Sequence, residues 1–315
     1  MAKIAFLFPG QGSQYVGMGK DLYDSDYPAA RELFDLAEEV TGLPLKRLCF
    51  EGPMLELTET VNLQPAVTVV NLCLHQALME GGARPSAVCG HSLGEYSALY
   101  AAGVLSAGDT LKAVQKRGAL MQREAERHPG AMAAVIGLAP AKLEKLVKPI
   151  LAEGPLALAN FNTPEQTVIS GTKELVAKAG GAAKAAGARV VPLKVSGAWH
   201  SPLMAAAGPD FAEFLATLSF QPPSLPIYLN ATAAPETDPE RLHQAMSRQL
   251  TSPVRWADLI ANLKNTGVDL WVEVGPKNVL KGLVRKILSE EPAENFYNVE
   301  NRASLESFLA NFAKI

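Results

Sequence analysis

The sequence predicts an α/β fold: a main domain built on a parallel sheet, interrupted by a small ferredoxin-like α+β subdomain. Three observations predict it. Short apolar runs that read as buried strands alternate with helical patterns towards both ends of the chain, which is the signature of parallel βαβ units. The middle of the chain instead reads strand–helix–strand–strand–helix–strand over about 65 residues, the order of a ferredoxin-like unit. The chain has 315 residues, 48% of them hydrophobic and 19% charged. That suits a globular protein with one large domain carrying an insertion, or with two domains.

Each element has its own signal. Residues 3–8 are apolar and stop at Pro9-Gly10, too short for a signal h-region or a membrane span and long enough for a buried strand. A loop follows at 10–14, then helical patterning around 28–40. The apolar stretch 65–80 predicts a buried helix closed by Gly81-Gly82. Residues 87–89 predict a short strand and 95–102 a helix ending at Gly103. Ser106-Ala107-Gly108-Asp109 has the form of a capping box, opening a helix that runs to about Arg127. His128-Pro129-Gly130 then breaks the chain. Strands are predicted at 131–138, 156–160, 167–170 and 189–195, with helices at 141–151 and 173–186. Beyond Ser196 the alternation resumes, with strands at 226–230, 270–274 and 296–299. The domains expected are a core of residues 1–128 and 197–315 and a subdomain of residues 129–196.

Charge and cysteine content narrow the function. The 29 basic and 32 acidic residues leave a net charge of −3, too balanced to point to nucleic acid or a membrane surface. Cys49, Cys73 and Cys89 show no CxxC or metal-ligand spacing. With no signal peptide apparent, they point to a reducing cytoplasm.

The motif that carries chemistry is Gly90-His91-Ser92-Leu93-Gly94. A G-x-S-x-G stretch between a strand and a helix forces a sharp turn that exposes the serine hydroxyl at the helix N-terminus, where the dipole favours developing negative charge. The backbone N–H of Leu93 is then placed to serve an oxyanion. The plain alternative is an ordinary strand–turn–helix corner. Ser92 needs a base, and there are five histidines. His91 adjoins the serine on a tight turn, His75 sits in the apolar helix, and His128 and His243 lie in polar surroundings. His200 follows a strand and precedes a helix, at the kind of strand end where open α/β sheets gather their chemistry, and it is the preferred base. No Asp or Glu between Ser92 and His200 stands out as a third member, so a main-chain or amide carbonyl is the other way to orient the imidazole. Arg117 falls at the edge of the apolar arc of the helix opened by Ser106. It reads either as a structural ion-pair or rim residue, or as a fork awaiting a substrate carboxylate.

Seven segments stand in order along essentially the whole chain: Phe8-Pro9-Gly10-Gln11-Gly12-Ser13-Gln14, Gly90-His91-Ser92-Leu93-Gly94-Glu95-Tyr96, Lys116-Arg117-Gly118, the run from Asn162 to Gly171, Gly197-Ala198-Trp199-His200-Ser201, the run from Gln249 to Trp256, and Glu273-Val274-Gly275-Pro276. Together they resemble the malonyl-CoA:acyl carrier protein transacylases. The resemblance implies an α/β-hydrolase-like core with a ferredoxin-like subdomain. It implies Ser92 as the nucleophile that becomes a malonyl ester, and His200 as its base and then acid. It further implies that Gln11 and Leu93 supply backbone N–H groups to the oxyanion, that Arg117 pairs with the malonyl carboxylate, and that the main-chain carbonyl of Gln249 orients His200. Asn162 and Gln166 match a motif near the cleft, where hydrogen bonding between subdomain strands is the simpler expectation. Malonyl-CoA is then the donor and acyl carrier protein the partner, in a ping-pong transfer that supplies extender units for fatty acid biosynthesis. No metal, bound cofactor, nucleic acid or membrane is expected, and the enzyme is expected to be a cytoplasmic monomer. Lys184, Arg189, Lys277, Lys281, Arg285 and Lys286 are candidates for a basic patch facing an acidic carrier. The rival readings are a trans-acting polyketide acyltransferase, a serine hydrolase, and a non-catalytic carrier-binding module.

Overall fold

A computed structural model describes residues 2–312. Its larger sheet has six strands: β1 (Ile4–Phe8), β2 (Ala87–Gly90), β7 (Ile227–Tyr228), β8 (Pro235–Glu236), β9 (Leu270–Val274) and β10 (Phe296–Val299). The smaller has four: β3 (Gly130–Ile136), β4 (Leu156–Thr163), β5 (Gln166–Thr172) and β6 (Arg189–Pro192).

The larger sheet runs β10-β9-β1-β2-β7-β8. Its pairs are parallel except β7 with β8, which are antiparallel. Every residue of β1, β2 and β9 is buried, as parallel strands covered by helices on both faces must be. β1 lies between β2 and β9, so the chain leaves it in one direction and returns on its other side. Such a switch point opens a crevice at the carboxyl ends of the strands. The loops after β1 and β2 meet there.

The helix Thr60–Glu80 is buried along most of its length, as its unbroken apolar run predicts. It begins five residues before the expected start, because Pro65 lies inside the helix rather than at its first position. Ser106 caps the helix Ala107–Arg127 by accepting the Asp109 N–H at 3.0 Å. The smaller sheet is antiparallel in the order β4-β5-β3-β6, the ferredoxin-like arrangement that its element order predicts. β3 and β6 stop short of their expected ends, at Ile136 and Pro192.

The two sheets are tied at one edge. β4 is joined to residue Val254 of the larger unit, with the Val254 N–H donating to Ala159 O and the Phe161 N–H to Val254 O, both at 2.8 Å. This pins the segment 249–254 against the small sheet. No helix among the described residues is long and apolar enough to cross a membrane.

Candidate active site

The elbow closes on glycine for steric reasons. A Cβ on Gly90 would come within 2.0 Å of Gly94 O, and one on Gly94 within 1.9 Å of Phe8 O. Strand β2, the turn and the end of β1 are therefore packed backbone to backbone. Ser92 takes φ 51°, a left-handed conformation that is strained for a non-glycine residue and typical of functional turns. The strain is held from below. The Ser92 N–H donates to Asn230 Oδ1 at 2.7 Å, and Asn230 Nδ2 donates to Gly90 O at 2.7 Å.

Ser92 Oγ lies 2.7 Å from His200 Nε2. The other ring nitrogen, Nδ1, lies 2.8 Å from Ser252 O and 3.2 Å from Gln249 O. Carbonyls only accept, so Nδ1 carries the hydrogen and Nε2 is left as the free lone pair facing the serine. His200 is 4% exposed. Burial first, then the nearby Arg117 cation, push its pKa down to about 3, so the imidazole is neutral at neutral pH. The Gln249 carbonyl, expected to orient His200, is one of two acceptors on Nδ1; Ser252 O, which was not expected, is the nearer. Ser252 sits on the 249–254 segment that β4 holds, a pairing that no local sequence signal reveals.

Arg117 is 1% exposed. Its Nη2 donates to Ser92 Oγ at 3.0 Å and its Nε to Gln249 Oε1 at 3.0 Å, and its guanidinium carbon stands 5.7 Å from the centre of the Tyr96 ring. It is neither a rim residue nor, among the described residues, a partner in a direct ion pair. The Gln249 side chain continues inward, its Nε2 donating to Ser92 O at 2.8 Å and to Glu95 Oε2 at 2.9 Å. Glu95 Oε1 accepts the Asn230 N–H at 2.7 Å. Sequence reasoning did not single out Glu95, Asn230 or Ser252. A signal for Glu95 was there: it is a carboxylate in the otherwise apolar and small helix Gly94–Ala101.

Gln11 and Leu93 flank Ser92 from the loops after β1 and β2. Neither backbone N–H has a protein acceptor among the described residues. Among the described residues the Asn162 side chain makes no bond between subdomain strands, the role that was expected of it. Its Oδ1 lies 2.8 Å from His91 Nε2, joining β4 to the elbow and turning His91 away from Ser92, edge-on to Trp256. Gln166 lines the cleft, and among the described residues its side chain makes no hydrogen bond, between subdomain strands or elsewhere. Of the other histidines, His75 is buried against Phe6, Phe8 and Tyr100, and His128 is exposed. The cleft above Ser92 encloses about 220 Å³, with Met121, Trp199 and His200 on one side and Met132, Asn160 and Val168 of the small sheet on the other. Val279 and Leu283, from the helix Val279–Ile287, close a further side.

A hydroxyl held between a neutral imidazole and a buried guanidinium, with unclaimed N–H groups alongside, is equipped for acyl transfer. The acyl transferase domain matches residues 5–306 of the chain, which makes the protein an acyltransferase. A malonyl CoA-acyl carrier protein transacylase of Bacillus subtilis (strain 168) is 44% identical over 289 residues, covering 91% of each chain. The crystal structure of an acyl carrier protein S-malonyltransferase from Vibrio cholerae superposes with a TM-score of 0.92 at 39% identity, covering 98% of this chain and 100% of the other. A malonyl-transacylase solved in complex with a type II polyketide acyl carrier protein gives 0.93 at 38% identity, over 98% and 100%. The chain belongs to the malonyl-CoA:acyl carrier protein transacylases.

Proposed function

We propose that the protein moves a malonyl group from malonyl-CoA to the phosphopantetheine thiol of acyl carrier protein through an ester on Ser92, supplying extender units for fatty acid biosynthesis. The observation that carries this reading is the position of Ser92 Oγ, 2.7 Å from His200 Nε2 and 3.0 Å from Arg117 Nη2. The nucleophile thus has a base on one side and a carboxylate-binding cation on the other.

Ser92 Oγ attacks the thioester carbonyl while His200 Nε2 takes its proton. The oxyanion of the tetrahedral intermediate accepts hydrogen bonds from the N–H groups of Gln11 and Leu93. Collapse breaks the C–S bond, and the imidazolium returns the proton to the departing sulfur, releasing CoA and leaving malonyl-Ser92. The carrier's thiol then gives its proton to His200 and attacks the ester. The second intermediate expels Ser92 Oγ, which His200 reprotonates. The carbonyls of Ser252 and Gln249 hold the imidazole in the required tautomer throughout. A malonyl ester carries its carboxylate two carbons beyond the acyl carbonyl oxygen's own carbon, within reach of a guanidinium that already touches Oγ. An acetyl group leaves that guanidinium unpaired, so the site favours the charged acyl group.

The same reading divides the chain into a catalytic core of residues 1–128 and 197–315 and a subdomain of 129–196, with the cleft between them. It has the enzyme act as a cytoplasmic monomer, without bound cofactor, metal or nucleic acid. The modest net charge of −3 supports the lack of a nucleic-acid partner, and the three free, buried cysteines support a reducing compartment. Lys281, Arg285 and Lys286 stand on the cleft-lining helix Val279–Ile287, a position that supports them as candidates for the patch that meets an acidic carrier. Intact-mass spectrometry tests the proposal. Mixing with malonyl-CoA should add one malonyl group that Ser92→Ala abolishes and that added carrier protein removes. No adduct, or release of free malonate without transfer, refutes it; the latter outcome would mark a hydrolase.

A further inference from the structure

The site contains a buried acid with no part in the transfer as derived above. We propose that Glu95 is a positioning residue for acyl selectivity: its carboxylate fixes the side-chain amide of Gln249 so that Oε1 faces Arg117 and holds the guanidinium towards the acyl carboxylate. The inference rests on the reading that Arg117 recognises that carboxylate.

The hydrogen bonds leave the amide one orientation. Gln249 Nε2 is 2.8 Å from Ser92 O and 2.9 Å from Glu95 Oε2, and both are acceptors. Turning the amide over would set its oxygen against two oxygens and its NH2 against the Nε–H of Arg117, which cannot accept. The second carboxylate oxygen, Oε1, takes the N–H of Asn230, whose own side chain bonds both Ser92 N and Gly90 O. One carboxylate therefore braces the elbow on one side and the specificity arginine on the other.

The charges agree with this arrangement. Arg117 and Glu95 are 1% and 2% exposed. A buried guanidinium needs a compensating anion, and Glu95 supplies it at one amide's remove rather than by contact. A direct ion pair would occupy the fork that the substrate has to fill. Relayed through Gln249, the anion stabilises the cation and orients its Nε while leaving guanidinium hydrogens for the acyl group. Burial works against this, lifting the Glu95 pKa to about 7, while Asn230, Gln249 and Arg117 pull it down.

Glu95→Gln tests the idea. It keeps the shape and can keep an acceptor for Asn230, but it sets an NH2 group against Gln249 Nε2 and so forces that amide to turn. The ratio of kcat/KM for malonyl-CoA over acetyl-CoA should fall about tenfold or more, the scale of one charge-assisted hydrogen bond, with the change in the KM for malonyl-CoA. Gln249→Met, which leaves Glu95 in place and removes the relay, should lower the ratio similarly, and the double variant should lower it no further. The Gln249 variant keeps the test available should Glu95→Gln fail to fold. Equal losses with both substrates, or an unchanged ratio in either variant, overturn the inference. Wild-type and Arg117→Ala enzymes are assayed alongside. If the wild type is malonyl-selective and Arg117-dependent while Glu95→Gln keeps its ratio, only the role of Glu95 falls. If the wild type takes up no malonyl group, the reading of Arg117 falls and the role of Glu95 with it.

Discussion

Replacing Arg117 with alanine separates recognition of the acyl group from the chemistry of transfer. In the free enzyme the guanidinium gives one hydrogen bond to Ser92 Oγ and one to Gln249 Oε1. A malonyl carboxylate engaging the fork adds two charge-assisted bonds, each worth about 1.5–3 kcal/mol. Their loss removes about 3 kcal/mol or more of transition-state binding, on the order of a hundredfold or more in kcat/KM for malonyl-CoA. Acetyl-CoA makes neither bond and loses only the contact to Ser92 Oγ, one charge-assisted bond, on the order of tenfold or somewhat more. Selectivity for malonyl over acetyl should therefore drop by roughly a factor of ten or more. Time courses of acyl-enzyme formation by intact-mass spectrometry, with each donor in turn and a thermal melt of each protein, measure both quantities. Arg117→Lys should fall between the two, because an ammonium keeps the charge but cannot serve Gln249 and a carboxylate with one planar fork. Parallel loss with the two donors, or a ratio within threefold of the wild type, would return Arg117 to a purely structural role.

Two further outcomes follow from packing and from buried titrating groups. Gly94→Ala would set a Cβ 1.9 Å from Phe8 O, a carbonyl that also accepts the His91 N–H. Malonyl loading should fall more than about a hundredfold with a lowered Tm, as expected when backbone must move at a strained turn, and near-normal loading would contradict the steric account of the elbow. For stability against pH, burial lowers His75 to about 4 and His200 to about 3, and raises Glu95 and Glu273 to about 7. Between pH 5 and 6.5 each histidine is protonated only when unfolded, so its contribution makes stability rise with pH. Over the same window each glutamate is protonated only when folded, so its contribution makes stability fall as pH rises. The four nearly cancel. His75→Leu removes one rising contribution, so relative to the wild type its urea-unfolding free energy should slope downward by on the order of 1 kcal/mol per pH unit. A slope unchanged from the wild type would show that His75 is not held neutral by the core.

The parts of the fold legible in the sequence are those set by local pattern. The βαββαβ order of the small sheet, the capping of Ala107–Arg127 by Ser106 and the elbow were readable because periodicity, a cap and two glycines each act over a few residues. β8 was not, since Pro235–Glu236 is a two-residue strand that exists only by pairing with β7. The start of the long helix was misplaced because Pro65 looks like a first-turn proline and is an interior one. In the site, the side chains that touch Ser92 Oγ came out of motif and family likeness, while those behind them did not. Asn230 reaches Ser92 across 138 positions and Gln249 reaches Glu95 across 154. Such pairings are made by the topology of the sheet, which brings the ends of β2 and β7 side by side. Asn162 shows the same limit from the other direction. The expected strand stopped at residue 160, which left Asn162 in the connecting loop, whereas β4 runs on to Thr163 and the turn of Asn162 towards His91 depends on how the small sheet is seated.

The missing acid, first visible as an absence between Ser92 and His200, has a chemical consequence. A carboxylate on Nδ1 would stabilise the imidazolium and make Nε2 a stronger base. Two carbonyls hold the same tautomer without that charge, and the Arg117 cation opposes protonation further. Such a base is poorly matched to water, whose pKa is about 15.7. It is better matched to a thiol, which sits near 8.5. The attacking group in both productive half-reactions is either Ser92, whose Oγ also accepts from Arg117, or a carrier thiol that needs little help to ionise. A Ser–His pair without an acid thus favours a thiol over water as the group that attacks the acyl-enzyme. The positive charge of Arg117 beside His200 contributes to that bias.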